Sequence, residues 1–92
     1  MEFEWNDNKA ASNLAKHGVP FELAAKAFHD LHCIEIDATR KRDGETRRKC
    51  LGQVDGRLLT VVFTMRRGIY RIVSARRANA QEERAYHGSH DA

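Results

Sequence analysis

One proline, two cysteines and seven aromatic side chains are spread over 92 residues, and no apolar run is long. The longest, Leu58 to Phe63, is interrupted by Thr60 and falls far short of the roughly 18 residues that a membrane span needs. Cys33 and Cys50 form neither a CxxC pair nor a metal-ligand spacing. They read as buried free thiols of a reducing compartment, with a disulfide as the alternative. The five histidines show no HExxH or other ligand arrangement, so no metal or other cofactor is expected. An exposed row of aromatics that would stack RNA bases is also lacking, since Tyr70 stands alone. The start, Met1-Glu2-Phe3-Glu4-Trp5, is acidic and has no apolar signal core, so the cytoplasm is the expected compartment. A hydrophobic share of 41 % with a single proline excludes a disordered chain. The length predicts one domain over residues 1–92.

What is present is positive charge, unevenly placed. Residues 1–30 carry three lysines against five carboxylates, whereas residues 40–86 carry 13 Lys and Arg against five carboxylates. Three clusters stand out: Arg47-Arg48-Lys49, Arg66-Arg67 and Arg76-Arg77. Such asymmetry sets up a directed field that draws a polyanion to one side. A solvated charged surface accounts for any single arginine but less well for their concentration.

The first third of the chain has helical period. Asn6 or Asp7 can cap a helix whose apolar side is Ala10, Ala11, Leu14 and Ala15, and Lys16-His17-Gly18 is a helix-ending signature. Pro20 suits the start of a second helix carrying Phe21, Ala24, Ala25 and Phe28 at i, i+3, i+4 and i+7. From residue 33 the period becomes two. Strands are expected at 33–37, 46–54, 57–66 and 69–75, with a mobile polar loop through Gly44. The predicted turns are Asp55-Gly56 and Arg67-Gly68. Asn79 with Glu82 resembles a capping box for a last short helix, 80–86, beyond which residues 89–92 should fray. The fold expected is therefore α+β: an N-terminal αα-hairpin packed on one face of a four-stranded antiparallel meander, then a short C-terminal helix.

Alternation assigns faces. Leu59, Val61, Phe63 and Met65 should face the helices, leaving Leu58, Thr60, Val62, Thr64 and Arg66 on the open side. On the last strand Tyr70, Ile72, Ser74 and Arg76 should lie together, opposite Arg71, Val73, Ala75 and Arg77. Strand direction puts the Arg47–Lys49 segment beside Arg66 and sends Arg76 to the opposite edge, about 20–25 Å away.

Taken in order, several segments resemble the BrnT toxin family within the RelE/ParE-like toxins of bacterial type II toxin–antitoxin systems. They are Phe3-Glu4-Trp5-Asn6 with Lys9 and Asn13, then Lys16-His17-Gly18-Val19-Pro20-Phe21, then Gly56 to Thr64. The resemblance closes on Ile72-Val73-Ser74-Ala75-Arg76-Arg77-Ala78 and Glu83-Arg84-Ala85-Tyr86. It implies a RelE-like fold and an endoribonuclease that halts translation. It also implies a cognate small antitoxin with a DNA-binding domain, so that promoter DNA is met only through the toxin–antitoxin complex. Active residues carry over to Arg66, Arg76 and Lys49, with Arg47, Arg48, Arg67 and Arg77 as RNA-binding neighbours. An acidic residue that related sequences often hold beside the arginine after the third strand is missing from Met65-Arg66-Arg67.

RNA brings its own nucleophile, the 2′-hydroxyl, so such a protein must orient in-line attack, stabilise added negative charge and manage two protons. Arg66 and Arg76 suit the charge role because a guanidinium fork matches phosphate oxygens. Lys49 is the candidate for proton transfer if crowding by other cations shifts it. Tyr86 and His17 read mainly as structural. No metal is required by this chemistry. Glu82, Glu83 and Arg84 can pair with sheet arginines or with a partner. The alternatives are a non-catalytic nucleic-acid-binding module and a protein-interaction module, and both would use the same basic sheet.

Overall fold

The computed structural model describes residues 1–89; His90 and most of the tail expected to fray lie outside the described residues. Two helices open the chain, α1 (Asp7–His17) and α2 (Phe21–Ala25), the second running on as a 3-10 turn over Lys26–His29. Asn6 caps α1 by accepting from the Lys9 N–H at 3.0 Å. Gly18 ends it in the left-handed conformation at φ 72°, a geometry that costs other residues steric strain.

A five-stranded sheet follows in the spatial order β1-β5-β4-β3-β2. Its strands are β1 (Phe3–Glu4), β2 (Ile34–Asp37), β3 (Arg48–Val54), β4 (Arg57–Arg66) and β5 (Ile69–Arg77). This corrects the expected four strands. β1 is only two residues long and runs parallel to β5, pairing Phe3 with Tyr70. A strand that short has no alternation to betray it. Strands β2 to β5 form the expected antiparallel meander. Both hairpin turns have paired positive φ, 51° and 79° at Asp55-Gly56 and 54° and 79° at Arg67-Gly68, as two-residue turns matched to strand twist require. The segment expected as a mobile loop instead folds as a 3-10 turn at Lys41–Asp43, clipped by Arg40 to Asp43 at 2.7 and 2.9 Å.

The two N-terminal helices do not act as a hairpin docked as one body. Helix α1 lies on β5, where the Asn13 carboxamide donates to Ala75 C=O at 2.8 Å and accepts from Ala75 N–H at 3.0 Å. The expected apolar anchor, Leu14, is about half exposed. Helix α2 and its 3-10 turn instead cover the sheet centre, burying Phe21, Ala24 and Ala27 against Cys50, Val61, Phe63 and Ile72. Phe3, Phe28, Phe63 and Tyr70 form a ring cluster with centroids 5.1–5.5 Å apart, so Tyr70 is committed to packing rather than to base stacking. Cys50 is buried and Cys33 half-buried, both as free thiols.

Helix α3 (Ala80–Gly88) is the expected short C-terminal helix, and it packs on the other face of the sheet. Tyr86 seats it against Leu51 and Leu58, with Ile34 and Ile36 alongside. Ser89 is not frayed: its N–H and hydroxyl bond Ala85 C=O at 3.2 Å and Tyr86 C=O at 2.8 Å. The sheet is thus covered by α1 and α2 on one side and partly by α3 on the other. The rest of that second side stays open.

Candidate functional site

Two of the three candidate catalytic residues meet on this open face. Lys49 pairs with Val62 and Val62 with Ser74, while Arg76 pairs with Thr60. Cross-strand partners share a face, so Lys49, Val62, Ser74, Thr60 and Arg76 all point the same way. Strict alternation along β5 would have tied Arg76 to Tyr70 and Ile72, which face the core. A β-bulge prevents this. Val62 pairs with Ser74 but Phe63 with Ile72, leaving Val73 as an extra residue. A bulge shifts the side-chain phase by one, so Ile72 and Ala75 both face the core and Ser74 and Arg76 emerge on the open side.

The charged ends of Lys49 and Arg76 converge on Glu82, carried by the first turn of α3. Arg76 grips this carboxylate with both terminal nitrogens at 2.7 and 2.9 Å, and Lys49 Nζ donates to it at 2.9 Å. Thr60 Oγ1 and the Asn79 N–H add bonds of 2.9 Å each. The Asn79 side chain in turn accepts from the Glu82 N–H at 2.8 Å, completing the expected capping box. Burial would push the Glu82 carboxyl up. The donors from Arg76, Asn79, Lys49 and Thr60 outweigh it and hold the group well below the usual carboxylate range. The Arg76 guanidinium is raised in turn by its bond to Glu82. The nearest charge to Lys49 is the Glu82 carboxylate, 2.9 Å away.

Beside this pair opens a cleft of about 240 Å³ lined by Arg40, Arg47, Lys49, Ser74 and Arg76, with Ala38 and Val62. Arg47, which lines it, has a buried Nε with no hydrogen-bond partner among the described residues. Its terminal nitrogens stand 3.6 Å from Asp43 and 3.7 Å from Glu45. Lined by four cations and no free carboxylate, the cleft can take a phosphate.

Arg66 is not part of it. As strand direction suggested, Arg66 lies near the start of β3, in a neighbouring cleft of about 310 Å³ with Arg48, Thr46, Thr64 and Glu45. Glu45 pairs with it at 3.4 Å, and Arg48 pairs with Glu35 at 3.4 Å. Arg67 is exposed in the β4–β5 turn. Arg77 pairs with Leu59 and so points to the helix-covered face, opposite to Arg76. Tyr86 donates to Asp30 at 2.6 Å. Burial and then this bond push its phenol up to about 12, and its ring is buried against Leu51 and Leu58. His17 lines a third cleft, of about 240 Å³, together with Lys9, Ser12, Lys16 and Ser74. Of these, the sequence marks only His17 as a candidate, because residues 1–30 are net acidic. Among the described residues, no three His, Cys, Asp or Glu side chains gather as metal ligands, and no helix is long and apolar enough to cross a membrane.

Residues 5–82 match the family model described as "Ribonuclease toxin, BrnT, of type II toxin-antitoxin system". Nothing among the curated proteins matches the chain.

Proposed function

Since the chain belongs to the BrnT family of ribonuclease toxins, we propose that it cleaves RNA on the open sheet face, without a metal, and thereby stops translation. An RNA substrate and an antitoxin partner come with that family. The observation that carries the placement is the convergence of Lys49 and Arg76 beside the cleft of Arg40 and Arg47.

The scissile phosphate sits in this cleft. The 2′-oxygen bonds to phosphorus, the bond from phosphorus to the 5′-oxygen breaks, and the products end in a 2′,3′-cyclic phosphate and a 5′-hydroxyl. The 2′-hydroxyl proton leaves to water, and water returns one to the departing oxygen. Lys49 and Arg76 act as cations that stabilise the doubly charged phosphorane, where preorganised donors contribute most to rate. Arg40 and Arg47 hold the same phosphate. Arg48 and Arg66 hold a neighbouring phosphate of the strand, with Arg67 as an outer contact, whereas Arg77, on the helix-covered face, takes no part. The antitoxin covers this basic face and supplies the contacts to promoter DNA.

Purified, antitoxin-free protein incubated with total RNA in the presence of EDTA tests the reading. Cleavage should leave 2′,3′-cyclic phosphate ends and should stop protein synthesis in a cell-free extract. Lys49→Ala and Arg76→Ala should each slow cleavage by a factor of about 10²–10³, the usual cost of one oxyanion donor. Arg66→Ala should mainly weaken binding. Binding without cleavage by the folded wild type would return the protein to a non-catalytic nucleic-acid-binding module.

A further inference from the structure

Lys49 and Arg76 rise from β3 and β5, two strands separated by β4, and both have long flexible side chains. Strand geometry fixes their Cα atoms but not their charged ends. Glu82 fixes those. Its Oε1 accepts from Arg76, Thr60 and the Asn79 N–H, and its Oε2 from Lys49 and Arg76, all within 2.7–2.9 Å. Arg76 spends its other Nη1 hydrogen on Arg77 C=O at 3.2 Å. Among the described residues, Arg76 Nε, one hydrogen on its Nη2 and two on Lys49 Nζ remain unused. Lys49 and Arg76 are about a quarter and a third exposed and line the cleft, whereas Glu82 is only 3 % exposed.

We propose that Glu82 is a positioning residue of the cleavage reaction: it locks Lys49 and Arg76 so that their unused donors face the phosphate, without touching RNA itself. This inference rests on the ribonuclease reading above. Helix capping alone does not account for the arrangement, because a cap needs one oxygen and neither cation. Nor does a temporary plug that RNA displaces. Thr60 and Asn79 would still hold the carboxylate, and its burial leaves the phosphate no path to exchange with it.

The test compares Glu82→Gln with Asn79→Ala, which removes the other half of the capping box but none of the contacts to Lys49 or Arg76. Cleavage is followed at saturating RNA, and affinity with an uncleavable mixed-sequence 2′-O-methyl RNA, at a temperature where circular dichroism shows each variant folded. E82Q should cut about a hundredfold more slowly, since a displacement near 1 Å costs that much. Its affinity should hold or tighten, because one negative charge has left a basic face. Asn79→Ala should cut within twofold of the wild type.

An E82Q rate equal to or above the wild type overturns the proposal, and a faster rate identifies a plug. Equal losses in both variants reduce Glu82 to a cap. Should E82Q not fold, Thr60→Val, which removes one anchor of Oε1 at nearly the same volume, should slow cleavage about tenfold; an unchanged rate overturns the proposal. A wild type that fails to cut overturns the ribonuclease reading itself, which separates the two failures.

Discussion

Asn13 and Glu82 are buried polar residues, and each ties an element to the sheet. The Asn13 carboxamide bonds Ala75 N–H, Ala75 C=O and Val19 C=O in a buried setting. Asn13→Ala strands a backbone donor and two acceptors there, which should cost about 3 kcal/mol or more at 1–3 kcal/mol for each of the three groups left unsatisfied. Urea titration followed by circular dichroism measures this. Glu82 makes a different prediction, in pH. Its carboxyl is held well below the 4.5 of a free glutamate, so in acid the unfolded chain takes up a proton that the folded one refuses. Its contribution is fully present above about pH 4.5 and is lost as pH falls below that value. Between pH 5 and 2.5 the stability of Glu82→Gln should fall less steeply than that of the wild type. Parallel curves would show that the ion-pair network adds nothing to stability. The sequence marked Glu82 as a cap and as a residue able to pair with sheet arginines, and Arg76 does pair with it; spacing could not show that two strands deliver cations to the same carboxylate.

At the scale of elements, what the sequence displayed depended on range. Asp55-Gly56 and Arg67-Gly68 were legible because paired positive φ restricts residue choice locally. The helix ends at Asn6 and Gly18 were legible for the same reason. Strand β1 was not, because two residues carry no period and its pairing with β5 spans the whole chain. Nor was the bulge at Val73, since Ile72-Val73-Ser74 reads as regular alternation and only the pairing with β4 shows the extra residue. That one residue decides whether Arg76 joins Lys49 or points into the core, so the site itself could not be assembled from spacing. Gly52 was silent too. It lies in β3 under the 3-10 turn, and a Cβ there would run into the backbone carbonyl of Ala27. Gly52→Ala must therefore move a strand or a turn rather than a side chain. A loss of about 1–3 kcal/mol is expected, as for overpacking elsewhere. Thermal unfolding checks it, and an unchanged midpoint would mean that the contact between α2's 3-10 turn and β3 is loose.

The molecule as a whole carries its free charge differently from its sequence. Most of the clustered cations are already matched: Arg47, Arg48, Lys49, Arg66 and Arg76 each face a carboxylate. Lys9 and Lys16, in the acidic third of the chain, have no ion pair among the described residues, and they line a cleft with His17 and Ser12. This cleft shares Ser74 with the one holding Lys49 and Arg76. A fourth hollow shares Arg40 with that central cleft, and Glu45 and Thr46 with the cleft of Arg66. The hollows thus neighbour one another in a row from α1 across the sheet to the end of β4. A single strand lying along it would place flanking phosphates at Lys9 and Lys16 on one side and at Arg48 and Arg66 on the other. Each neutralised phosphate of a single strand adds about 0.7 to the salt dependence of binding. Lys9→Ala with Lys16→Ala should therefore lower the slope of log affinity against log salt by about 1.4, leaving cleavage at saturating RNA unchanged. An unchanged slope in the double variant would end the path of the RNA at Ser74 and confine it to the two sheet clefts.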